Sequence, residues 1–116
     1  MGFAAKHRFA RIAPRKARLV MDMIRGRDVD DAISMLRFSK QRAAVMIEKV
    51  VRSAVANAVE QEVPSRSALF VRQCWVDPGP VIKRFQPKDR GKAYSIIKRT
   101  SHLVVELDQR EQAKED

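Results

Sequence analysis

The sequence predicts a protein of the α+β class, with one small globular domain spanning residues 1–116 and a long protruding β-hairpin arm. Three stretches carry apolar residues at helical spacing, and three shorter runs are rich in strand-forming residues. Between the last two of these runs lies a segment too basic to belong to a core. A chain of 116 residues is long enough for one domain, since folded domains usually contain roughly 100–150 residues.

The first strand is predicted within residues 3–12, where polar and apolar side chains partly alternate. A helix is predicted from Pro14, whose missing N–H is not needed in a first helical turn, to Arg25. The apolar stripe of this helix consists of Val20, Met23 and Ile24. Gly26 is predicted to end the helix in the left-handed conformation.

Asp28 is predicted to cap a second helix, with Asp30 and Asp31 in the first turn, where carboxylates interact favourably with the helix dipole. The core-facing stripe of this helix consists of Val29, Ala32, Ile33 and Leu36. The longest helix is predicted from Ser39 to about Glu62. Its stripe consists of Ala43, Ile47, Val50, Val51, Ala54 and Ala58. Because alanines allow close packing, this helix is expected to form the spine of the core.

Residues 69–76 and 103–107 are predicted to pair as strands, and the imperfect alternation of the first run indicates a bulge or a strand covered on both faces. The intervening residues 77–102 far exceed the about 2–5 residues of an ordinary hairpin loop. They are therefore predicted to form a ribbon that turns near residues 88–91 and reaches about 40 Å. The acidic tail, residues 108–116, is predicted to fray.

The net charge of +10 is concentrated in two segments. Residues 6–18 contain six basic residues and no acid, and residues 81–100 contain seven basic residues and one acid, so the remainder carries −2. Such clusters are typical of phosphate binding, and the alternative is a basic surface that serves only solubility. The candidate nucleic-acid contacts are Lys6, His7, Arg8, Arg11, Arg15, Lys16, Arg18, Lys83, Arg84, Lys88, Arg90, Lys92, Lys98, Arg99 and His102.

Several of these residues also have a structural interpretation. The arginines of the first helix can form a solvated face that is ion-paired through Asp22, and His7 and His102 can be ordinary surface groups. The aromatic residues of the arm, Phe85 and Tyr94, can stack on bases or pack across the ribbon.

An enzyme is not predicted. Acid–base and nucleophilic catalysis need a base beside its partner, and the sequence offers only His7, His102 and Cys74. The aspartates that begin the second helix have neither His nor Cys nearby, so helix capping is preferred to a metal site. No glycine-rich phosphate loop is present. We therefore predict no catalytic residue, metal, cofactor or small-molecule substrate.

The cellular location is predicted to be the cytoplasm. A single cysteine, Cys74, fits a reducing compartment. The sequence shows no signal peptide, and its apolar runs are shorter than the about 20 residues of a membrane helix. No membrane partner is therefore expected.

Four stretches carry a family resemblance: RIAPRKARLVMDMIRG at 11–26, SAVANA at 53–58, VDPGPVIKRFQP at 76–87 and RGKAYSIIKRTSHLVVEL at 90–107. In this order and spacing they resemble large-subunit ribosomal protein twenty-two in its bacterial form, over about residues 5–107. The resemblance implies three helices packed on a three-stranded antiparallel sheet. It also implies a structural protein that binds large-subunit ribosomal RNA and organises it during assembly.

The resemblance further implies that the arm runs through this RNA and lines the nascent-peptide exit tunnel. Ribosomal protein four of the same subunit and the nascent peptide are then the neighbours of its tip. The residues implied at the tunnel are Ile82, Lys83, Arg84, Phe85, Lys88, Asp89, Arg90, Gly91 and Lys92. Ala13 departs from the family, where Ser is frequent, and Asp89 adds an acid to a turn that is usually basic or neutral. An architectural DNA-binding protein with a β-arm is the alternative function.

Overall fold

The computed structural model describes residues 3–61, 68–88 and 92–109, with the backbone alone in 82–88 and 92–97. Strand-forming and helix-forming runs follow one another along this part of the chain as the apolar spacing predicts. The elements are β1 (Phe3–Ala10), α1 (Pro14–Ile24), α2 (Val29–Phe38), α3 (Arg42–Glu60), β2 (Leu69–Pro78), β3 (Ile82–Lys88), β4 (Lys92–Lys98) and β5 (Ser101–Gln109). The α+β class is confirmed.

The sheet of the body has the strand order β1-β5-β2, and both pairings are antiparallel. β5 is therefore the central strand, and its buried side chains include Leu103, Val105 and Leu107. The predicted pairing of the strands within residues 69–76 and 103–107, which are β2 and β5, is confirmed. The register between β2 and β5 shifts between Val71 and Gln73, which is the bulge that the irregular alternation of this run indicates.

The three helices pack on one face of this sheet, and the predicted stripes of α2 and α3 are fully buried. The stripe of α1 differs from the prediction. Met23 is 37% exposed, and the buried residues of α1 are Ala17, Val20, Met21 and Ile24. Ala17, Val20, Met21 and Ile24 are spaced three or four residues apart, so they lie on one face of the helix. This face is turned toward the core, and Met23 lies at its margin.

The predicted start of the longest helix at Ser39 is wrong, since α3 begins at Arg42 with Gln41 as its N-cap residue. Ser39 instead ends α2, with an extended backbone whose N–H donates to the carbonyls of Leu36 and Met35. These carbonyls lack partners within the helix, so the Ser39 N–H satisfies them at the position where the chain turns.

The turn between α1 and α2 is fixed to β2. Gly26 has φ +80, which confirms the predicted left-handed position. Its N–H donates to the Val71 carbonyl at 2.9 Å, and the Val71 N–H donates to the Arg27 carbonyl at 2.9 Å. Asp28 occupies the N-cap position of α2 without a capping bond from its side chain, and Ala13 precedes α1 without one as well.

The arm is a separate two-stranded antiparallel sheet of β3 and β4, which pair from Ile82 and Lys98 to Lys88 and Lys92. The predicted ribbon is thus confirmed, but it is interrupted where it leaves the body. We call this interruption, residues 79–81 and 99–100, the joint. Within the joint, the Gly79 N–H donates a hydrogen bond to the Thr100 carbonyl at 2.9 Å. Proline at 78 and 80 removes two donors, which accounts for the break.

The arm makes the molecule elongated, with principal extents of 78 × 25 × 16 Å. The radius of gyration is 17.9 Å, whereas a compact domain of this length has a value of about 13 Å. The predicted loop at 64–67, the tip of the arm at 89–91 and the tail from residue 110 lie outside the described residues.

Candidate nucleic-acid interface

The N-terminal basic segment, residues 6–18, covers the end of β1, the turn after it and the first half of α1. The structure exposes all six charged side chains that the sequence predicts as contacts: Lys6, Arg8, Arg11, Arg15, Lys16 and Arg18. None of the six forms an ion pair with a carboxylate of the described residues. Their positive charge is therefore available to a polyanion.

A shallow groove of about 240 Å³ lies between β1 and α3. Lys6, His7 and Arg8 line one side of it, and Lys49 and Ser53 of α3 line the other. Lys49 is exposed and adds a positive charge to this surface. Residue spacing does not predict this position of Lys49, because the apolar stripe of α3 predicts packing and not which polar residues face β1.

His102 lies beside Phe9, at the end of the arm nearest the body. Its Nδ1 accepts a hydrogen bond from the Phe9 N–H at 3.1 Å, and the two ring centroids are 4.9 Å apart at an interplanar angle of 84°. One residue away, the Ser101 hydroxyl is buried and donates to the Ile12 carbonyl at 2.6 Å. These bonds join the N-terminal basic segment to the base of the arm.

Phe9 has φ +59, and it is the one non-glycine residue with positive φ in the part of the chain that the structure describes. A bulky side chain rarely adopts this conformation, which costs about 1–3 kcal/mol. The position falls where the register between β1 and β5 shifts, between His7 and Ala10. The strained backbone turns the Phe9 ring outward, and 57% of the residue is exposed.

Two arginines, one in α1 and one directly after it, bind the outer edge of β2. Arg18 donates to the Val76 carbonyl at 3.2 Å, and Arg25 donates to the Cys74 carbonyl at 2.7 Å. Arg25 also pairs with Asp22 at 2.7 Å, which confirms one of the two ion pairs that the sequence predicts for Asp22. The hydrogen bond that Arg25 donates to the Asp22 carboxylate raises the pKa of the guanidinium. Arg18 keeps further donors for a ligand, because a guanidinium has five N–H groups.

Cys74 is buried under α1, and its Sγ lies 3.4 Å from the Met21 carbonyl. Burial raises the pKa of its thiol. The protonated thiol is therefore a packing group at neutral pH, because only the thiolate is a reactive nucleophile.

At the base of the arm, Lys98 and Arg99 are exposed while the next residue, Thr100, is buried. The Thr100 hydroxyl donates to the Pro80 carbonyl at 2.7 Å, which holds this turn of the chain. Further out, the backbone register pairs residue 83 with 97, 84 with 96 and 88 with 92. It also pairs Phe85 with Ser95 and Gln86 with Tyr94, so the two aromatic residues of the arm do not lie directly opposite each other. The remaining predicted tip residues, Asp89, Arg90 and Gly91, are outside the described residues.

Neither a cluster of metal-binding side chains nor a candidate membrane span appears in the described part of the chain. Groups of three or more His, Cys, Asp or Glu side chains that could hold a metal ion are absent from residues 3–61, 68–88 and 92–109. In the same residues, no helix combines the length and the apolar character needed to cross a membrane.

Comparison with known proteins identifies the family. The model of the family described as ribosomal protein L22p/L17e matches residues 5–108. A large ribosomal subunit protein uL22 of Geobacter metallireducens is 50% identical over 103 residues, which cover 89% of this chain and 94% of the relative. The protein of the same name from Bdellovibrio bacteriovorus is 43% identical over 110 residues, covering 95% of this chain and all of the relative.

A third relative, the large ribosomal subunit protein uL22 of Geobacter sulfurreducens, is 49% identical over 107 residues and matches 92% of this chain and 96% of its own length. The match spans both the body and the arm, and the relatives are bacterial. The chain therefore belongs to the ribosomal protein L22p/L17e family and is a structural, non-catalytic protein of the large ribosomal subunit, which is cytoplasmic in bacteria.

Proposed function

We propose that the protein binds large-subunit ribosomal RNA through the N-terminal basic segment and the arm, and that the arm lines the nascent-peptide exit tunnel. In this function the basic side chains neutralise phosphates of RNA elements that would otherwise repel one another. The protein thereby fixes the arrangement of these elements during assembly. Ribosomal protein four and the nascent peptide are the proposed neighbours of the arm tip.

The observation that carries the RNA-binding proposal is the union of two basic segments that are far apart in sequence. The bonds from Phe9 to His102 and from Ser101 to Ile12 bring residues 6–18 beside the base of the arm. The exposed basic side chains of this segment thus lie next to the base of the arm, where Lys98 and Arg99 are also exposed, and the sequence of the arm adds five more basic residues between 83 and 92. A surface of this kind fits a polyanion that contacts both the body and the arm.

The salt dependence of RNA binding tests this surface. The double variant Lys98→Ala and Arg99→Ala is expected to bind large-subunit ribosomal RNA more weakly and with a shallower dependence on salt. Each lost phosphate contact lowers the slope of log K against log salt by about 0.7 to 0.9, because fewer counterions are released. Filter binding at several salt concentrations measures both the affinity and the slope.

The matched control removes two positive charges elsewhere. Arg37 pairs with Glu48 at 3.4 Å, and Arg72 pairs with Asp108 at 3.5 Å, and neither belongs to the two basic segments. Replacing both with alanine is expected to leave the slope near that of the unaltered protein. Equal slopes for the two double variants would mean that Lys98 and Arg99 contact no phosphate.

The tunnel proposal is tested by photocrosslinking within translating ribosomes. A photoreactive amino acid at Lys88, the last residue of β3, is expected to crosslink to a stalled, radiolabelled nascent peptide. The same amino acid at Val45, which is exposed on α3 in the body, serves as the control and is expected to give no such product. Crosslinks from residue 88 to RNA alone, over a series of nascent-chain lengths, would contradict tunnel lining while leaving RNA binding intact.

A further inference from the structure

Phe9 is an aromatic residue that the fold holds outward within the N-terminal basic segment. More than half of it, 57%, is exposed, although the backbone at the same residue is fixed by the hydrogen bond to His102. Arg8 and Arg11 are its exposed basic neighbours along the chain. Phosphate binding alone gives no role to an apolar ring at the centre of such a surface.

The backbone at Phe9 makes this placement unusual. Its φ of +59 is a conformation that glycine or asparagine adopts at lower cost. Burial of the ring could offset the strain of a bulky residue, but this ring is not buried. Strained positions of this type concentrate where a protein meets a ligand. The strain and the exposure together indicate that the ring acts on something outside the chain.

The arrangement of the two rings defines what that ligand can be. An edge-to-face contact at 84° leaves at least one face of the Phe9 ring uncovered by His102. Because Nδ1 of His102 accepts the Phe9 N–H, the neutral imidazole carries its proton on Nε2. A flat apolar ring beside an imidazole that can donate a hydrogen bond, with the exposed Arg8 and Arg11 nearby in the chain, matches an unpaired nucleobase that is still attached to its phosphate backbone.

We propose that Phe9 and His102 form a docking site for one unpaired base of ribosomal RNA. The base stacks on the open face of Phe9, and the Nε2–H of His102 donates to an acceptor atom of the same nucleotide. Arg8 and Arg11 bind the adjacent phosphates. This proposal rests on the RNA-binding function proposed above and adds a contact that carries no charge.

Because a stacking contact carries no charge, its loss can be distinguished from the loss of a phosphate contact. In filter binding to in vitro transcribed large-subunit ribosomal RNA, Phe9→Leu is expected to raise the Kd about 5- to 150-fold, the value of one stacked base. The slope of log K against log salt is expected to stay unchanged, because no phosphate contact is lost. Phe38→Leu is the matched control, since Phe38 is 88% exposed at the end of α2 and its replacement should leave the Kd unchanged.

A second variant separates RNA contact from folding. Phe9→Gly relieves the positive φ while it removes the ring, so its unfolding midpoint in urea is expected to equal or exceed that of the unaltered protein. Its Kd for RNA is nevertheless expected to rise as much as that of Phe9→Leu. An affinity loss that occurs only together with a loss of stability would overturn the proposal, because Phe9 would then serve the fold alone.

Two further outcomes distinguish the proposals from each other. If Phe9→Leu binds as tightly as the unaltered protein, and both retain salt-dependent binding, the base-docking site is refuted and the RNA-binding function stands. If the unaltered protein shows no salt-dependent binding to this RNA, the RNA-binding function fails, and the docking site fails with it. A changed salt slope in Phe9→Leu would also refute the docking site, because the ring would then act through the neighbouring arginines.

Discussion

Replacing Leu103 with alanine is expected to lower the free energy of unfolding by about 2–5 kcal/mol. Leu103 is fully buried in β5, the central strand of the sheet, and it pairs with His7 of β1 and with Val76 of β2. Removing its side chain creates a cavity that cannot be filled from solvent. Since small domains are stable by only about 5–15 kcal/mol, this loss would be a substantial fraction of the total stability. Urea denaturation followed by circular dichroism measures the loss.

The control for this prediction is Leu19→Ala. Leu19 is 61% exposed on α1, so the same substitution there is expected to change the free energy of unfolding by less than about 0.5 kcal/mol. A cost for Leu103→Ala below about 1 kcal/mol would contradict the central position of β5 in the core.

Replacing Gly79 with alanine is expected to destabilise the joint between body and arm by about 1–3 kcal/mol. An added Cβ would overlap with the Thr100 hydroxyl and lie 3.3 Å from the Thr100 backbone carbon. Thr100 is buried and its hydroxyl donates to the Pro80 carbonyl at 2.7 Å, so it can yield only by breaking that bond. The measurement is amide hydrogen exchange at residue 79, whose N–H donates to the Thr100 carbonyl and should exchange faster in the variant.

A double-mutant cycle isolates the cause. Thr100→Ala removes the hydroxyl that the new Cβ meets, so the double variant Gly79→Ala and Thr100→Ala is expected to cost less than the two single variants together. Strictly additive costs would show that the overlap with the Thr100 hydroxyl is not the source of the destabilisation.

The sequence predicts most of the body because its signals are local. The stripes of α2 and α3 follow directly from residue spacing, and the irregular run at 69–76 indicates the bulge that the structure contains. The error at Ser39 has a physical reason. A serine before an apolar stripe has the features of a helix start, whereas its backbone N–H completes the preceding helix.

The contacts that shape the candidate interface could not be predicted in the same way. They join residues far apart in the chain, such as Phe9 with His102 and Arg25 with Cys74. Neither the positive φ of Phe9 nor the tautomer of His102 can be predicted from residue spacing, because both depend on the register between β1 and β5. Charge clustering predicts a candidate surface, but only the fold shows which of its groups meet.

Family membership selects the ribosomal function over the alternative of an architectural DNA-binding protein. Both alternatives follow from the same physical features, a basic surface and a protruding β-arm. Electrostatics attracts RNA and DNA alike, so charge alone could not separate them. The order and spacing of four sequence stretches carried the distinction, and the family match over residues 5–108 confirms it.

The two outer edges of the body sheet are protected by different means. On β2, the carbonyls of Val76 and Cys74 accept hydrogen bonds from Arg18 of α1 and from Arg25, the residue after this helix, and Val71 is bonded to the turn that follows. On β1, Asn57 of α3 donates to the Ala4 carbonyl at 3.0 Å, and the basic side chains of the strand repel another copy. Open strand edges are templates for aggregation. A newly made chain that has not yet been assembled into the large subunit is therefore protected from pairing with other copies through its body.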